Sequence, residues 1–328
     1  MFLRFNSFSK PYKQVSKIPF MTEKIIPNLV MHPFNTTLMG VLRGVADFFG
    51  INASDAWLFG SSGHAFLINI HEQICPSGPY NWKYGGFYRL VKNLGMEMTD
   101  LGFFHAGTPV EERRKVEALL RRSIDTETPC SMLNMENQLI TGYGDEHFVL
   151  KQPWPTVNLP ITPKTLTFET WRELGDEPHA RFFTFCKRKS ADEKTVVLHS
   201  LNAAVDMVKN PENWSVEHYS TGLQAYNLWI KAVNEGFGSS HGNWWNGTVW
   251  AECRGMASRY FAEIASKHQD TASETAKELS NQYGNVANLL DKARDKGLAD
   301  DAKIKMLAEA QRTEESCVTL IEELIRLL

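Results

Sequence analysis

The chain has 328 residues, enough for about two domains, and its 43% hydrophobic and 22% charged composition is that of a folded globular protein, which excludes disorder over most of its length. A net charge of −3 without a basic cluster argues against nucleic acid as a partner, and no run of about 18 apolar residues offers a membrane span. The five cysteines Cys75, Cys130, Cys186, Cys253 and Cys317 form no CxxC pair, which excludes a disulfide framework and a cysteine-rich zinc site and points to a reducing, cytoplasmic setting.

Residues 1–27 read as an extension. Its first 20 residues hold Arg4, Lys10, Lys13 and Lys17 and no acid, which fits either an organellar transit peptide or a true start at Met21. The following 36–50 is predicted as a helix, with Leu38, Val41, Leu42 and Val45 at helical spacing and Gly50 as its C-cap. A second short helix starts after Ser54, and the apolar run Ala65 to Ile70 reads as a strand. A loop over 76–84, a helix over 85–95 and an extended stretch over 96–104 lead to an amphipathic helix over 110–124. Strands are predicted over 129–135, 138–143 and 147–151, and then a connector over 153–193 with its own strand at 181–186.

From 195 onward the pattern is helical: 195–209, 221–235, 244–267, 272–291 and 301–328. The last carries the stripe Ile304, Leu307, Val318, Ile321, Ile325 and Leu328, interrupted at Gln311 and Glu314. That stripe fits a bundle helix or, alternatively, a homodimer seam. The expected class is α+β: an N-terminal domain with an antiparallel sheet over 28–193, followed by an all-helical domain over 194–328.

The segment His32-Pro33-Phe34-Asn35-Thr36-Thr37-Leu38 running into a helix resembles the start of the papain-like fold. It is similar to the N-terminal domain of the butirosin biosynthesis protein H family and to bacteriocin-processing cysteine peptidases. Leu58 to Phe66 and Ile140 to Glu146 resemble the family's Gly-rich stretch and its strand–turn–strand. The resemblance implies a cysteine at the position of Pro33, a histidine near Glu136 or Asn137, and an Asp or Asn near Gln152. All three are substituted here. Cysteine catalysis needs a thiolate, an imidazole base and a group that orients it, so the papain mechanism is expected to be lost.

Two functions follow as expectations. One is a catalytically degenerate protein holding a small metabolite or peptide-like ligand in the cleft between the two parts, with His32, Asn35, Ser61, Ser62, Tyr219, His241, Asn243, Trp244, Asn246 and Glu252 as candidate contacts. The other is an amide or acyl-transfer enzyme with a relocated nucleophile, Cys75, next to His64 or His71. A scaffold built on the last helix is a third use. No HExxH or comparable ligand spacing is present, so neither metal nor cofactor is expected.

Overall fold

A computed structural model describes residues 23–154 and 162–328, so the expectations for the first 20 residues lie outside the described residues. The N-terminal part runs β1 (Lys24–Ile25), α1 (Thr37–Phe48), α2 (Asp55–Ser61), β2 (Asn69–His71), α3 (Gly85–Asn93), β3 (Met96–His105), α4 (Val110–Asp125), β4 (Cys130–Asn134), β5 (Glu136–Tyr143), β6 (His147–Lys151), β7 (Thr165–Thr167) and β8 (His179–Lys187). Then come α5 (Glu193–Lys209), β9 (Tyr219–Thr221), α6 (Leu223–Ala232), α7 (His241–Ser266), α8 (Thr271–Ala293) and α9 (Asp300–Leu327). The class is α+β with a helical C-terminal part, as the order of patterns predicts.

The main sheet is antiparallel in the order β3-β8-β4-β5-β6-β7, and β1 pairs with the far end of β5. The strand expected inside the connector is therefore not peripheral. It is β8, inserted between β3 and β4. Lys24 and Ile25, expected in the extension, belong to the same sheet.

Helix α1 is buried almost all round, so it carries few polar residues and packs as a central rod against β5. Gly44 allows the extended segment before the helix to lie against it: a Cβ there would sit 2.0 Å from the Val30 carbonyl oxygen.

Three further expectations are corrected. Ala65 and Phe66 lie in a turn and Leu67 and Ile68 in irregular chain, because the carbonyls of Ala65 and Leu67 are taken by the Arg254 guanidinium, at 3.1 and 2.6 Å, leaving only Asn69–His71 as strand. The C-terminal part is not all-helical, since β9 pairs with β2 of the N-terminal part. Of the stripe on α9, Leu307 and Ile321 are buried, and Ile304, Val318, Ile325 and Leu328 are half-buried. Leu307, Ala310, Cys317, Ile321 and Leu324 are buried within the chain, against a neighbourhood of α5, α6 and α8. Glu314 does not interrupt that stripe but is buried in it as the partner of Arg254, whose Nη2 donates to Oε2 at 3.0 Å. Gln311 donates to the Leu223 carbonyl and Asn227, tying α9 to α6.

Candidate functional site

The first N–H groups of a helix have no partner within it and carry the positive end of the helix dipole. Just before α1, the two residues leading into the helix are held from the far end of the sequence. Glu252, on α7, accepts from the backbone of Asn35 (3.0 Å) and Thr36 (2.7 Å) and from the Asn35 side chain (3.1 Å). Burial pushes the Glu252 carboxyl above its usual range, against the pull of those hydrogen bonds.

A second carboxylate lies on the other side of the helix start. Thr37, the first residue of α1, donates its hydroxyl to Glu136 Oε2 at 2.7 Å. Glu136 opens β5, so the strand order itself brings it to the helix. Tyr80 donates to the other carboxylate oxygen at 2.5 Å, and the indole N–H of Trp245 donates to the Tyr80 oxygen at 2.9 Å. The Thr37 oxygen also accepts from the Asn137 backbone N–H (3.0 Å) and its side-chain amide (3.4 Å). Glu136 is only 5% exposed, and desolvation pushes its carboxyl up to about 7 despite the two hydroxyl donors.

Aromatic rings cover this cluster. The rings of Trp154 and Trp245 meet edge to face at 5.6 Å, and the Trp154 indole N–H donates to the Phe34 carbonyl at 3.2 Å. Gly242 lets the loop that carries Tyr80 dock on α7, because a Cβ at that position would fall 1.7 Å from the Ile74 carbonyl oxygen. The residue before the carboxylate, Met135, forms the reversal between β4 and β5 with φ +55° and is 69% exposed. An L side chain pays roughly 1–2 kcal/mol for that conformation, and Asn tolerates it best. Met135→Asn is expected to raise stability by about 1 kcal/mol in urea unfolding; an unchanged or lower midpoint would mean the turn holds no strain.

The sequence-derived residues are distributed differently from the expectation. Pro33 is exposed and lies four residues before α1, so the residue at the helix opening is Thr37. Asn35 and Glu252 do meet, directly at that opening. Gln152 does not orient Glu136; its amide donates to the Thr162 carbonyl. His32 pairs with Asp47 at 2.9 Å, along the helix and away from its start. Ser61 and Ser62 are buried, and the Ser62 hydroxyl donates to the Phe59 carbonyl. Asn243 and Asn246 are internal, because each accepts a buried indole N–H, from Trp229 (2.7 Å) and Trp250 (3.2 Å). Tyr219 pins the 77–81 loop through Ser77 and Asn81. The His241 and Trp244 rings lie 5.2 Å apart and tilted by 36° at the start of α7, beside Trp245.

The expected Cys75 dyad is not formed among the described residues. His71 Nδ1 accepts from the Gln73 backbone, and the sulfur facing His64 Nδ1, at 3.6 Å, is that of Cys253. That pair is fully buried. Desolvation pushes the Cys253 thiol up to about 12 and His64 down to about 4, so both stay neutral and no thiolate forms. His64 Nε2 has no hydrogen-bond partner among the described residues. Its ring stands perpendicular to those of Trp82 and Phe87 at 5.7 and 5.9 Å. Thr36 links this buried pair to the helix start, its hydroxyl 3.5 Å from the Cys253 sulfur.

Thr37 and Tyr80 escape the sequence reading as site residues. Only Thr37 left a signal, as the last hydroxyl before the apolar helical run. No known family model matches the chain, and a search of curated proteins finds no significant relative. Among the described residues no helix is long and apolar enough to cross a membrane.

Proposed function

We propose that the chain is a catalytically silent papain-like protein that binds a small peptide-like or metabolite ligand at the start of α1. The observation that carries this reading is the state of the Thr37 hydroxyl. It occupies the helix opening, opposite the first residue of a strand, where a papain-like protein holds its nucleophile opposite its base. A nucleophile needs a lone pair directed at the substrate carbonyl. A hydroxyl has one proton and two lone pairs. Here the proton goes to Glu136 and the oxygen accepts two N–H groups of Asn137, in a side chain 1% exposed. The aromatic cover of Tyr80, Trp154 and Trp245 over a few fixed polar groups is the composition of a binding site.

The test is native mass spectrometry of the purified protein for a retained ligand, together with thermal shift across a panel of amino acids, short peptides and amines. A ligand of this site stabilises the wild type, and Tyr80→Phe weakens its binding. No retained mass and no shift across the panel would contradict the reading. A second reading, amide or acyl transfer with Thr37 as nucleophile and Glu136 as base, is favoured by one observation: a carboxyl near 7 in contact with a hydroxyl is suited to general-base work.

A further inference from the structure

We infer a second ligand site, in a cavity of about 680 Å³ between the start of α7, the end of α8 and the loop into α9, for an aromatic ring bearing an anionic group. It stands on observations separate from the α1 site. The volume suits a small molecule. Trp244, Leu298 and Met306 supply apolar wall, and the charged residues are Asp291, Lys292, Arg294, Asp295 and Lys296.

The polarity of the ligand follows from how those charges are engaged. Asp291 holds the Arg294 Nε at 2.7 Å, and Asp295 accepts the Gly297 backbone N–H at 2.8 Å. Arg294 is further positioned by Thr248, whose hydroxyl oxygen lies 3.3 Å from Nη1. Neither Lys292 nor Lys296 is within salt-bridge distance of a carboxylate among the described residues. The lining therefore carries three cations against two acids, one of the acids paired with Arg294, and neither lysine ammonium has a carboxylate partner among the described residues.

Lys296 Nζ lies over the Trp244 ring, 5.8 Å from its centre, so an anion held by the ammonium brings a ring attached to it within reach of the indole. Trp244 lies against His241 at 5.2 Å and Trp245 at 5.5 Å. A lining with one more cation than acids disfavours a cationic ring.

The test is isothermal titration of the full chain with phenyl phosphate, inorganic phosphate and benzylamine at low salt. Phenyl phosphate is expected to bind with a Kd on the order of 1 mM or tighter, at least tenfold tighter than either of the other two. Lys296→Glu, an exposed change, is expected to weaken it at least tenfold, and Trp244→Ala similarly. Equal affinity for inorganic phosphate would reduce the site to a patch of charge and overturn the aromatic half of the proposal. Equal affinity for benzylamine, unchanged affinity in Lys296→Glu, or no binding at about 10 mM phenyl phosphate would overturn it altogether.

Discussion

Glu314→Leu is expected to destabilise the protein by about 3–5 kcal/mol, because it leaves a fully buried guanidinium without its counter-charge. Arg254 stands at the junction of the two parts. It donates to both oxygens of Glu314, whose Oε1 also accepts the Tyr226 hydroxyl at 2.8 Å, and to the Ala65 and Leu67 carbonyls. Glu314 in turn holds the guanidinium's pKa above its ordinary value, outweighing desolvation. The double variant Arg254→Met/Glu314→Leu is expected to recover part of the loss, since no charge is then stranded. It should not recover all of it, because the two carbonyls and the Tyr226 hydroxyl lose their partners at about 1–3 kcal/mol each. Chemical denaturation of the two single variants and the double variant closes the cycle. A coupling near zero would mean that the pair does not join the halves.

Glu136→Gln is expected to gain stability relative to wild type as pH rises from 4.5 to 7. In the folded chain this carboxyl titrates at about 7, against an ordinary 4.5. Between those values the folded state holds a proton that the unfolded state has released, so stability falls as pH rises through the window, by about 3 kcal/mol in all. Glutamine removes that slope. His64 acts in the opposite sense. Its folded value of about 4 lies below the ordinary 6.5, so the unfolded state holds the extra proton between pH 4 and 6.5. Stability is therefore lost as pH falls through that window, again by about 3 kcal/mol.

The two slopes oppose each other across the shared range. Single variants separate them. Glu136→Gln gains on wild type with rising pH, whereas the advantage of His64→Met is largest in acid and fades by pH 6.5. Urea midpoints at half-unit pH steps measure both. A flat difference curve for Glu136→Gln would mean that the carboxyl is not held in the desolvated state described.

Much of the fold was legible in the sequence because it rests on periodicity. The apolar positions of α1, α5, α7, α8 and α9 recur at helical spacing, and their observed ends lie within a few residues of those expected. The run Ala65 to Leu67 was misread because its apolar character is that of a strand, while its carbonyls are claimed by an arginine 187 to 189 residues away. Asn243 and Asn246 looked like ligand contacts because they stand among tryptophans. A buried indole needs an acceptor, and both asparagines supply one.

The candidate site was half legible. The strand–turn–strand pointed to Glu136 or Asn137, and the structure puts both against the helix start. The resemblance set its cysteine on Pro33, whereas the helix itself begins four residues later, at Thr37, and two threonines in a row do not mark which one opens it. Tyr80 lies 56 residues from Glu136 and Trp245 a further 165 from Tyr80, and no local pattern ties them together. Glu252 was singled out for its place beside an apolar helix face. Its actual partners are N–H groups of Asn35 and Thr36, 217 and 216 residues earlier.

The central claim is that the Thr37 hydroxyl is fully committed and does no chemistry. Intact mass spectrometry after incubation with hydroxyl-directed acylating reagents, a β-lactone and a fluorophosphonate, with Thr37→Ala as control, tests it most directly. No adduct that depends on Thr37 is expected at any pH from 6 to 9. A stoichiometric adduct mapped to Thr37, absent from Thr37→Ala, would contradict the account and make this a nucleophilic enzyme.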